Sequence, residues 1–503
     1  MTIASPNTPS LLIRAAANVA IGTGHVMRCL ALAQAWQDAG GSVTFASAEI
    51  TPAVEARLAA ESCAIEPASC AAGTEQDWRR TIALAAKKKA DWIVVDGYQF
   101  GADYQRALKA EGLKILFLDD YGHAPNYSAD FVLNQNPAAD ESLYSNREPN
   151  TRLLLGPSYC LLRREFSAWG NWKREISPVV HRVLVTMGGS DPESLTVRTV
   201  EALELAGTKG LEVTVVVGGS NPHFDLLQRM SAKQRSKIRV RHDISDVAEV
   251  MAAADVAIAA AGSTCWELSL LGLPALLIDV AANQTALAQE LHRRECAIHV
   301  GDRNVSARKI ADEFSRLVRS PELRQSLSHR SRALVDGKGA ARVVSSLRND
   351  KSLRLRRARA DDIHLLWKWA NDPEVRAASF SAASIPWETH VAWFQEKFGR
   401  SFMLVCENER GIPFAQVRFD LNGSEAELNI SISKEKRGCG LAVPVIEAAV
   451  RELFANNDCK RVHAFVKMGN EPSARAFKRL GFVPMGVKEV HGNTALHFVW
   501  ARN

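Results

Sequence analysis

Leu11-Leu12-Ile13, the loop Ile21-Gly22-Thr23-Gly24-His25-Val26-Met27-Arg28 and the run on to Trp36 decide the fold of the first two-thirds of this chain. The apolar triplet reads as a short buried strand. After the glycines, Val26, Cys29, Leu30, Leu32, Ala33 and Trp36 recur at helical spacing, so a strand passes through a tight loop into a helix. Gly22 and Gly24 let a ligand come close to the main chain. His25 stands at the mouth of the helix, where free N–H groups and the positive dipole end disfavour an added proton. A neutral imidazole there can take a proton from water; a capping histidine in a plain turn is the blander reading of the same spacing.

Outward from this unit the alternation continues. Ser42–Ala46, Asp91–Asp96, Lys114–Asp119 and Phe131–Leu133 are apolar strand-like runs separated by helical stretches, which argues for a parallel, doubly wound sheet. Ligands in such sheets sit beyond the carboxyl ends of the strands. His25, Asp96, Tyr98, Asp119, Asp120 and Asn134 all fall at those ends. A second alternating run follows, with strands at Arg182–Met187, Val213–Val217, Asp255–Ala259 and Ala275–Asp279. Two of its turns, Gly188-Gly189-Ser190-Asp191-Pro192 and Gly262-Ser263-Thr264, open helices and offer N–H groups and hydroxyls to a diphosphate. Pro192 suits a first helical position, and Glu267, a turn beyond Thr264, is placed to hold a ribose. Gly22-Thr23-Gly24 lacks the third glycine of a dinucleotide fingerprint, which counts against an NAD enzyme.

The pattern changes after a polar hinge at Arg348–Ser352. Leu353–Ala358 alternates as a strand whose arginines (Arg354, Arg356, Arg357, with Arg359 beyond) read as its wet face. Phe402–Cys406, Phe414–Phe419 and Glu427–Ser433 read as successive antiparallel strands. Arg437-Gly438-Cys439-Gly440-Leu441-Ala442 then opens a helix, a second seat for a pyrophosphate. A strand at Arg461–Lys467 and a helix at Pro472–Leu480, opened by the capping residues Asn470 and Ser473, close the domain.

Composition bounds these readings. The 503 residues suit about three domains, with expected limits 10–152, 153–347 and 352–503. A hydrophobic fraction of 47% with 23% charged residues fits a globular protein. The net charge of +6, from 62 basic and 56 acidic residues, permits anionic ligands and does not argue for nucleic acid. Nine cysteines without a CxxC pair or zinc spacing suit reduced thiols and no metal, and no run reaches transmembrane length, so a cytoplasmic protein is expected.

Residues 10–345 resemble the UDP-sugar hydrolases of pseudaminic acid biosynthesis, nucleotide-releasing relatives of GT-B glycosyltransferases. The likeness rests on Ile21–Arg28, Val95–Tyr98, Asp119-Asp120, Asn134–Asn136, Gly156–Phe166, Gly188–Asp191, Gly262–Glu267 and Asn283-Gln284, in the family's order. It implies a GT-B-like pair of Rossmann-like domains facing a cleft. It also implies metal-free cleavage of UDP-2,4-diacetamido-2,4,6-trideoxy-β-L-altropyranose by water, breaking the anomeric C–O bond with inversion. On that resemblance His25 is the general base, and Tyr98 and Asn283 position sugar and water. Gly24 and Arg28 line the substrate site; Gly188, Gly189, Ser190, Ser263 and Thr264 hold the diphosphate, and Glu267 the ribose. One departure is visible: the family's Arg-x-Asp after the first strand is here Arg14-Ala15-Ala16, which removes a carboxylate that would orient His25 or the sugar amide.

Residues 352–503 resemble the α+β GNAT N-acetyltransferases through Arg437-x-x-Gly440-x-Ala442, Asn470-x-x-Ser473 and Leu480-Gly481-Phe482. The resemblance implies acetyl-CoA as co-substrate, held by Arg437, Gly438, Gly440, Ala442, Asn470 and Ser473. Many members carry a tyrosine acid where Phe477 stands. All six tyrosines of this chain lie at or before Tyr159, so none in this domain can protonate the leaving thiolate. Glu427 and His390 are candidate amine bases, with structural roles the plainer reading. The two resemblances together point to a bifunctional enzyme that acetylates a UDP-4-amino sugar and then releases UDP. The competing readings are a GT-B glycosyltransferase or a UDP-sugar epimerase, with an acyl-CoA-binding module that has no catalytic role.

Overall fold

The computed structural model describes residues 8–15, 24–47, 50–68, 70–189, 191, 193–207, 210–219, 221–233, 237–242, 244, 247–348, 353–408, 411–438, 441–490 and 492–502. Ala16, Ile21-Gly22-Thr23, Ser190, Pro192, Cys439 and Gly440 lie outside them. The chain forms two compact units, Met1–Val344 and Ser345–Asn503.

The first unit holds two parallel sheets. Strands β1 (Ser10–Ala15), β2 (Ser42–Ser47), β3 (Ala64–Pro67), β4 (Trp92–Asp96), β5 (Ile115–Leu118), β6 (Phe131–Asn134) and β7 (Arg152–Leu155) pair in the order β3-β2-β1-β4-β5-β6-β7. β1, β4, β5 and β6 are buried on both faces, which is why they read as unbroken apolar runs. The order reverses between β1 and β4, where Ala15 pairs with Asp96. The helix α1 (Gly24–Asp38) leaves β1 at this switch point, the crevice where doubly wound sheets bind ligands. The second sheet comprises β8 (Arg182–Thr186), β9 (Glu212–Val217), β10 (Lys237–His242), β11 (Val256–Ala260), β12 (Ala275–Asp279) and β13 (Ile298–Asp302), ordered β10-β9-β8-β11-β12-β13. Its switch point lies between β8 and β11, so the glycine turns that follow those two strands are neighbours. This is the GT-B-like pairing expected above.

The linker from Gly156 ties the lobes together. Gln135 accepts from Leu161 N–H at 3.0 Å. A charged chain runs from Arg57 to Glu165 (3.0 Å), to Arg163 (2.8 Å) and to Glu267 in the second lobe (2.8 Å). A Cβ on Gly339 would meet the Cys160 carbonyl oxygen at 2.1 Å, so only glycine permits that closeness.

The second unit is a seven-stranded sheet of β14 (Arg354–Arg357), β15 (Phe402–Glu407), β16 (Pro413–Asn422), β17 (Glu425–Ile432), β18 (Arg461–Lys467), β19 (Val483–Val490) and β20 (Asn493–Ala501), ordered β14-β15-β16-β17-β18-β20-β19. All neighbours are antiparallel except β17 and β18, which pair only through Glu425–Glu427 and Arg461–His463. Beyond that point no ladder joins them. The helices Ala442–Asn456 and Glu471–Arg479 follow the far ends of these two strands and cover one face with Val445, Ile446, Ala449, Leu453, Ala474 and Phe477.

Two expectations for this unit are corrected. The domain does not close after residue 480: β19 and β20 follow, and β20 inserts between β18 and β19. The β14 arginines are not simply a wet face. Arg356 is clamped by Asp362 and Glu407, and Arg357 lies 4.1 Å over the Phe402 ring, because their β15 neighbours supply a carboxylate and an aromatic face.

Candidate functional site

The first lobe brings His25, Arg28, Asp96, Tyr98 and Asp120 together at the β1/β4 switch point. Arg28 lies one turn after His25, so both side chains reach back from the first turns of α1 toward the end of β4. His25 Nδ1 is 2.6 Å from Asp96 Oδ1. Arg28 donates from Nη2 to the same oxygen (2.6 Å) and from Nε to Oδ2 (2.7 Å). A carboxylate only accepts, so Nδ1 carries the hydrogen, and Arg28 Nη2 at 3.4 Å from Nδ1 is a neighbour and not a bonding partner. Nε2 is left as the basic atom, with no hydrogen bond among the described residues.

The network continues outward. Arg28 Nη1 donates to Asp120 Oδ1 at 2.7 Å, Tyr98 Oη donates to Asp120 Oδ2 at 2.7 Å, and Asn283 Nδ2 of the second lobe donates to Tyr98 Oη at 2.8 Å. Burial alone would raise Asp96, yet Arg28 and His25 hold its carboxyl well below the ordinary range, so it is anionic near neutral pH. Burial and the Asp120 carboxylate push the Tyr98 phenol far up, and it remains a neutral hydroxyl. Next door, Asp119 Oδ1 accepts from the N–H groups of Asp120 (2.6 Å), Tyr121 (3.0 Å) and Gly122 (3.1 Å), which fixes the Asp120 loop. Burial opposes this charge, but His123 and Tyr127 hold the Asp119 carboxyl down to about 2.

Several sequence features acquire different roles. The carboxylate absent after Arg14 is not missed by His25, because Asp96 supplies it from β4. Arg14 itself is fully buried and pairs with Asp77 at 2.9 Å, tying β1 to the helix Glu75–Lys88. Asn134 and Asn136 serve the loop: Asn134 Oδ1 accepts from Asn136 N–H at 3.0 Å, and Asn136 Nδ2 donates to the Asp120 carbonyl at 2.9 Å. Among the described residues no atom comes within 4 Å of a Cβ built on Gly24.

In the second lobe the two glycine turns are not equivalent. Gly188 has φ +83°, and the Gly188-Gly189 backbone lies against Gly218, where a Cβ would sit 2.5 Å from Gly189 Cα. The helix behind them, Leu195–Ala206, is already capped: buried Asp191 accepts from Leu195 and Thr196 N–H at 2.8 Å each. Thr264–Leu270 has no side-chain cap, and the Ser263 and Thr264 hydroxyls bond to nothing among the described residues. The 262–264 turn is therefore the electrostatically vacant one. Glu267 receives Arg163 at 2.8 Å, so its carboxylate is shared with the linker.

In the C-terminal unit Arg437 turns back to the Ile432 carbonyl (2.8 Å) and Asp372 (2.6 Å), bracing the loop it belongs to. Gly438 has φ +73°, and Ala442 begins the helix. Asn470 accepts from Ser473 N–H at 3.3 Å, a cap for the following helix. Phe477 is buried against Phe482 and Phe498, facing the core. His390 is 2% exposed and donates from Nε2 to the Ile363 carbonyl at 3.0 Å, and burial lowers its pKa; its role is structural. Glu427 sits at the last β17–β18 pair, opposite His463. The sequence reading passed over the stacked pair His463 and His497, 2.9 Å from Nδ1 to Nε2, because β20 was not foreseen.

Among the described residues no group of histidine, cysteine or acidic side chains could hold a metal ion, and no helix is long and apolar enough to cross a membrane. Comparison with known proteins matches residues 182–343 to the glycosyltransferase family 28 C-terminal domain and residues 352–483 to the acetyltransferase (GNAT) domain. The chain is 29% identical over 286 residues to the UDP-2,4-diacetamido-2,4,6-trideoxy-β-L-altropyranose hydrolase of Campylobacter jejuni, covering 56% of this chain and 96% of that one. It is 29% identical over 266 residues to the spore coat polysaccharide biosynthesis protein SpsG of Bacillus subtilis, covering 52% and 77%. A third relative, the uncharacterized protein MJ1062 of Methanocaldococcus jannaschii, is 24% identical over 420 residues, covering 78% and 81%. The chain is a homologue of the Campylobacter hydrolase that carries a GNAT domain at its C-terminus.

Proposed function

We propose that the first unit hydrolyses UDP-2,4-diacetamido-2,4,6-trideoxy-β-L-altropyranose to UDP and the free sugar, and that the second unit acetylates the 4-amino group of its UDP-sugar precursor. The observation that carries the first half is the His25 dyad. Asp96 fixes the Nδ1–H tautomer, leaving Nε2 to draw a proton from water as that water attacks the anomeric carbon. The C–O bond to the diphosphate then breaks, and the negative charge gathers where Gly188, Gly189, Ser190, Ser263 and Thr264 offer N–H groups and hydroxyls, with Glu267 toward the ribose. Gly24 and Arg28 border the sugar, and Tyr98 and Asn283, joined across the lobes, position it. No step calls on a metal. The second half is supported by the GNAT match, with acetyl-CoA expected on Arg437, Gly438, Gly440, Ala442, Asn470 and Ser473.

The family 28 match favours one rival, a glycosyltransferase with the same nucleotide site. Incubation with the UDP-sugar in ¹⁸O-water and no acceptor separates them. A hydrolase releases UDP quickly and places the label on the sugar; slow release that an added acceptor accelerates means a transferase. Acetyl-CoA with the UDP-4-amino sugar tests the second unit, where binding without CoA release marks a module that only binds.

A further inference from the structure

The C-terminal unit has no tyrosine, and the two bases foreseen in it are not placed alike: His390 is buried in an aromatic cluster, whereas Glu427 borders the gap between β17 and β18. On the sheet face opposite the core, the residues beside that gap form a continuous titratable row. Ala426, Leu428, Val462, Ala464, Val466 and Phe498 are buried toward the helices, so the alternation of each strand turns Glu425, Glu427, His463, Phe465 and His497 the other way. Glu427 pairs with His463 at the last rung before the strands part, and Phe465, just beyond, pairs with His497 on β20.

Three of these groups lie in line. Glu425 Oε2 is 3.3 Å from His463 Nε2, an ion-pair distance without hydrogen-bond alignment, and His463 Nδ1 is hydrogen-bonded to His497 Nε2 at 2.9 Å. The imidazoles are stacked at 13°, and Phe465 stacks on His497 at 4.7 Å. His463 Nδ1 and His497 Nε2 share one hydrogen; the nearby Glu425 charge favours the His463 hydrogen on its Nε2 side, so that His497 Nε2–H donates to His463 Nδ1 and His497 Nδ1 is the basic end. That atom has no partner among the described residues. Burial, His463 and Lys488 all lower the His497 pKa, so the ring is neutral near pH 7 and able to take a proton. The other charges on this face are Glu427 and Arg461, and Lys467, which is held by the Ala377 and Ser379 carbonyls; Lys488 and Glu489 lie on β19.

We propose that His497 is the catalytic base of the acetyl transfer, with His463 and Glu425 behind it as positioning residues. The proposal rests on the reading of this unit as an acetyltransferase for an amino sugar nucleotide. The acceptor ammonium gives one proton to His497 Nδ1, directly or through one water, and His497 later returns it to solvent. The freed amine attacks the thioester carbonyl carbon, a C–N bond forms and the C–S bond breaks. The second amine proton passes to the departing thiolate, so amide and CoA thiol leave with one proton released. No tyrosine is needed.

The test uses the full chain, acetyl-CoA and two acceptors in parallel: the UDP-4-amino sugar and benzylamine. His497→Gln is expected to lower kcat about 10²-fold at pH 7 with either amine while the KM for acetyl-CoA stays within about twofold. The deficit should shrink by about tenfold per pH unit as the ammonium deprotonates by itself. Glu425→Gln, at a half-exposed site that folding tolerates, should lower kcat several-fold and move the acidic limb of the pH profile downward, because a carboxylate no longer favours the imidazolium. UDP release by the first unit checks that each variant is intact. Equal loss at every pH, a loss confined to the KM of acetyl-CoA, or unchanged rates in both variants would overturn the proposal. Transfer to benzylamine alone retires the sugar acceptor and leaves the His497 comparison to be decided on that amine. A wild-type enzyme inert toward both amines overturns both readings.

Discussion

Replacing Asp96 by asparagine changes one atom in a buried carboxylate that accepts four hydrogen bonds. Asp96 accepts from His25 Nδ1, from Arg28 Nε and Nη2, and from Cys29 Sγ at 3.3 Å. An asparagine offers one acceptor oxygen and an NH₂ group, so one of its ends must face a donor. If the NH₂ takes the Oδ1 place it faces His25 Nδ1 and Arg28 Nη2 together; the ring adopts the other tautomer, Nε2 carries the hydrogen and the base is lost. If it takes the Oδ2 place it faces Arg28 Nε, and a buried guanidinium loses a partner. The first case forfeits general-base catalysis, about 10²–10⁴-fold in kcat, or about 3–5 kcal/mol of barrier. The second lowers stability by up to about 3–5 kcal/mol, the usual cost of breaking a buried ion pair. Arg28 keeps Asp120 at 2.7 Å, so the smaller figure is expected. The assay is continuous UDP release at a temperature where melting shows the variant folded, with UDP affinity by calorimetry alongside. Affinity should stay within about twofold, because Asp96 lies in the other lobe from the glycine turns. A folded variant whose kcat stays within about threefold of wild type would refute the dyad.

Three further outcomes follow from the same geometry. Thr264→Val should weaken UDP binding about tenfold, the worth of one hydroxyl donated to a charged oxygen, with melting unchanged. Asp191→Ala should do the reverse: it removes the cap of the 195–206 helix and lowers stability by about 1–2 kcal/mol, read by denaturant titration, while UDP affinity holds or improves. Acid titration should show the first unit losing stability below about pH 4. Asp119 and Asp96 have folded pKa values below their unfolded ones, so their stabilisation is full above the unfolded value near 3.9 and is lost as pH falls through the folded values. Asp119 alone contributes about 2–3 kcal/mol, and Asp119→Asn should flatten the acid limb.

The strands legible in the sequence are those buried on both faces, such as β4 (Trp92–Asp96) and β11 (Val256–Ala260). Those passed over, β3, β7, β10, β13 and β19, are all sheet edges, where half or more of the residues meet solvent and the apolar run dissolves. β20 is the exception, since its Leu496, Phe498 and Trp500 alternate plainly; with the chain read as closing at Leu480, that signal was left unused. For the site, placement at strand ends brought out His25, Asp96, Tyr98 and Asp120. It could not give who bonds to whom. That Asp96 is the carboxylate on His25 depends on β1 lying beside β4, a register that no local pattern carries. In the same way, Asp191 read as part of a phosphate turn because the residue types suit both a cap and a seat.

The chain from His25 to Asn283 has one further consequence. Guanidinium groups only donate and carboxylates only accept, so every hydrogen along it has a single direction available. No rotor or tautomer can be exchanged for another of equal energy. The imidazole is therefore set before substrate arrives, and the proposed turnover asks only that its outer nitrogen take up a proton from water.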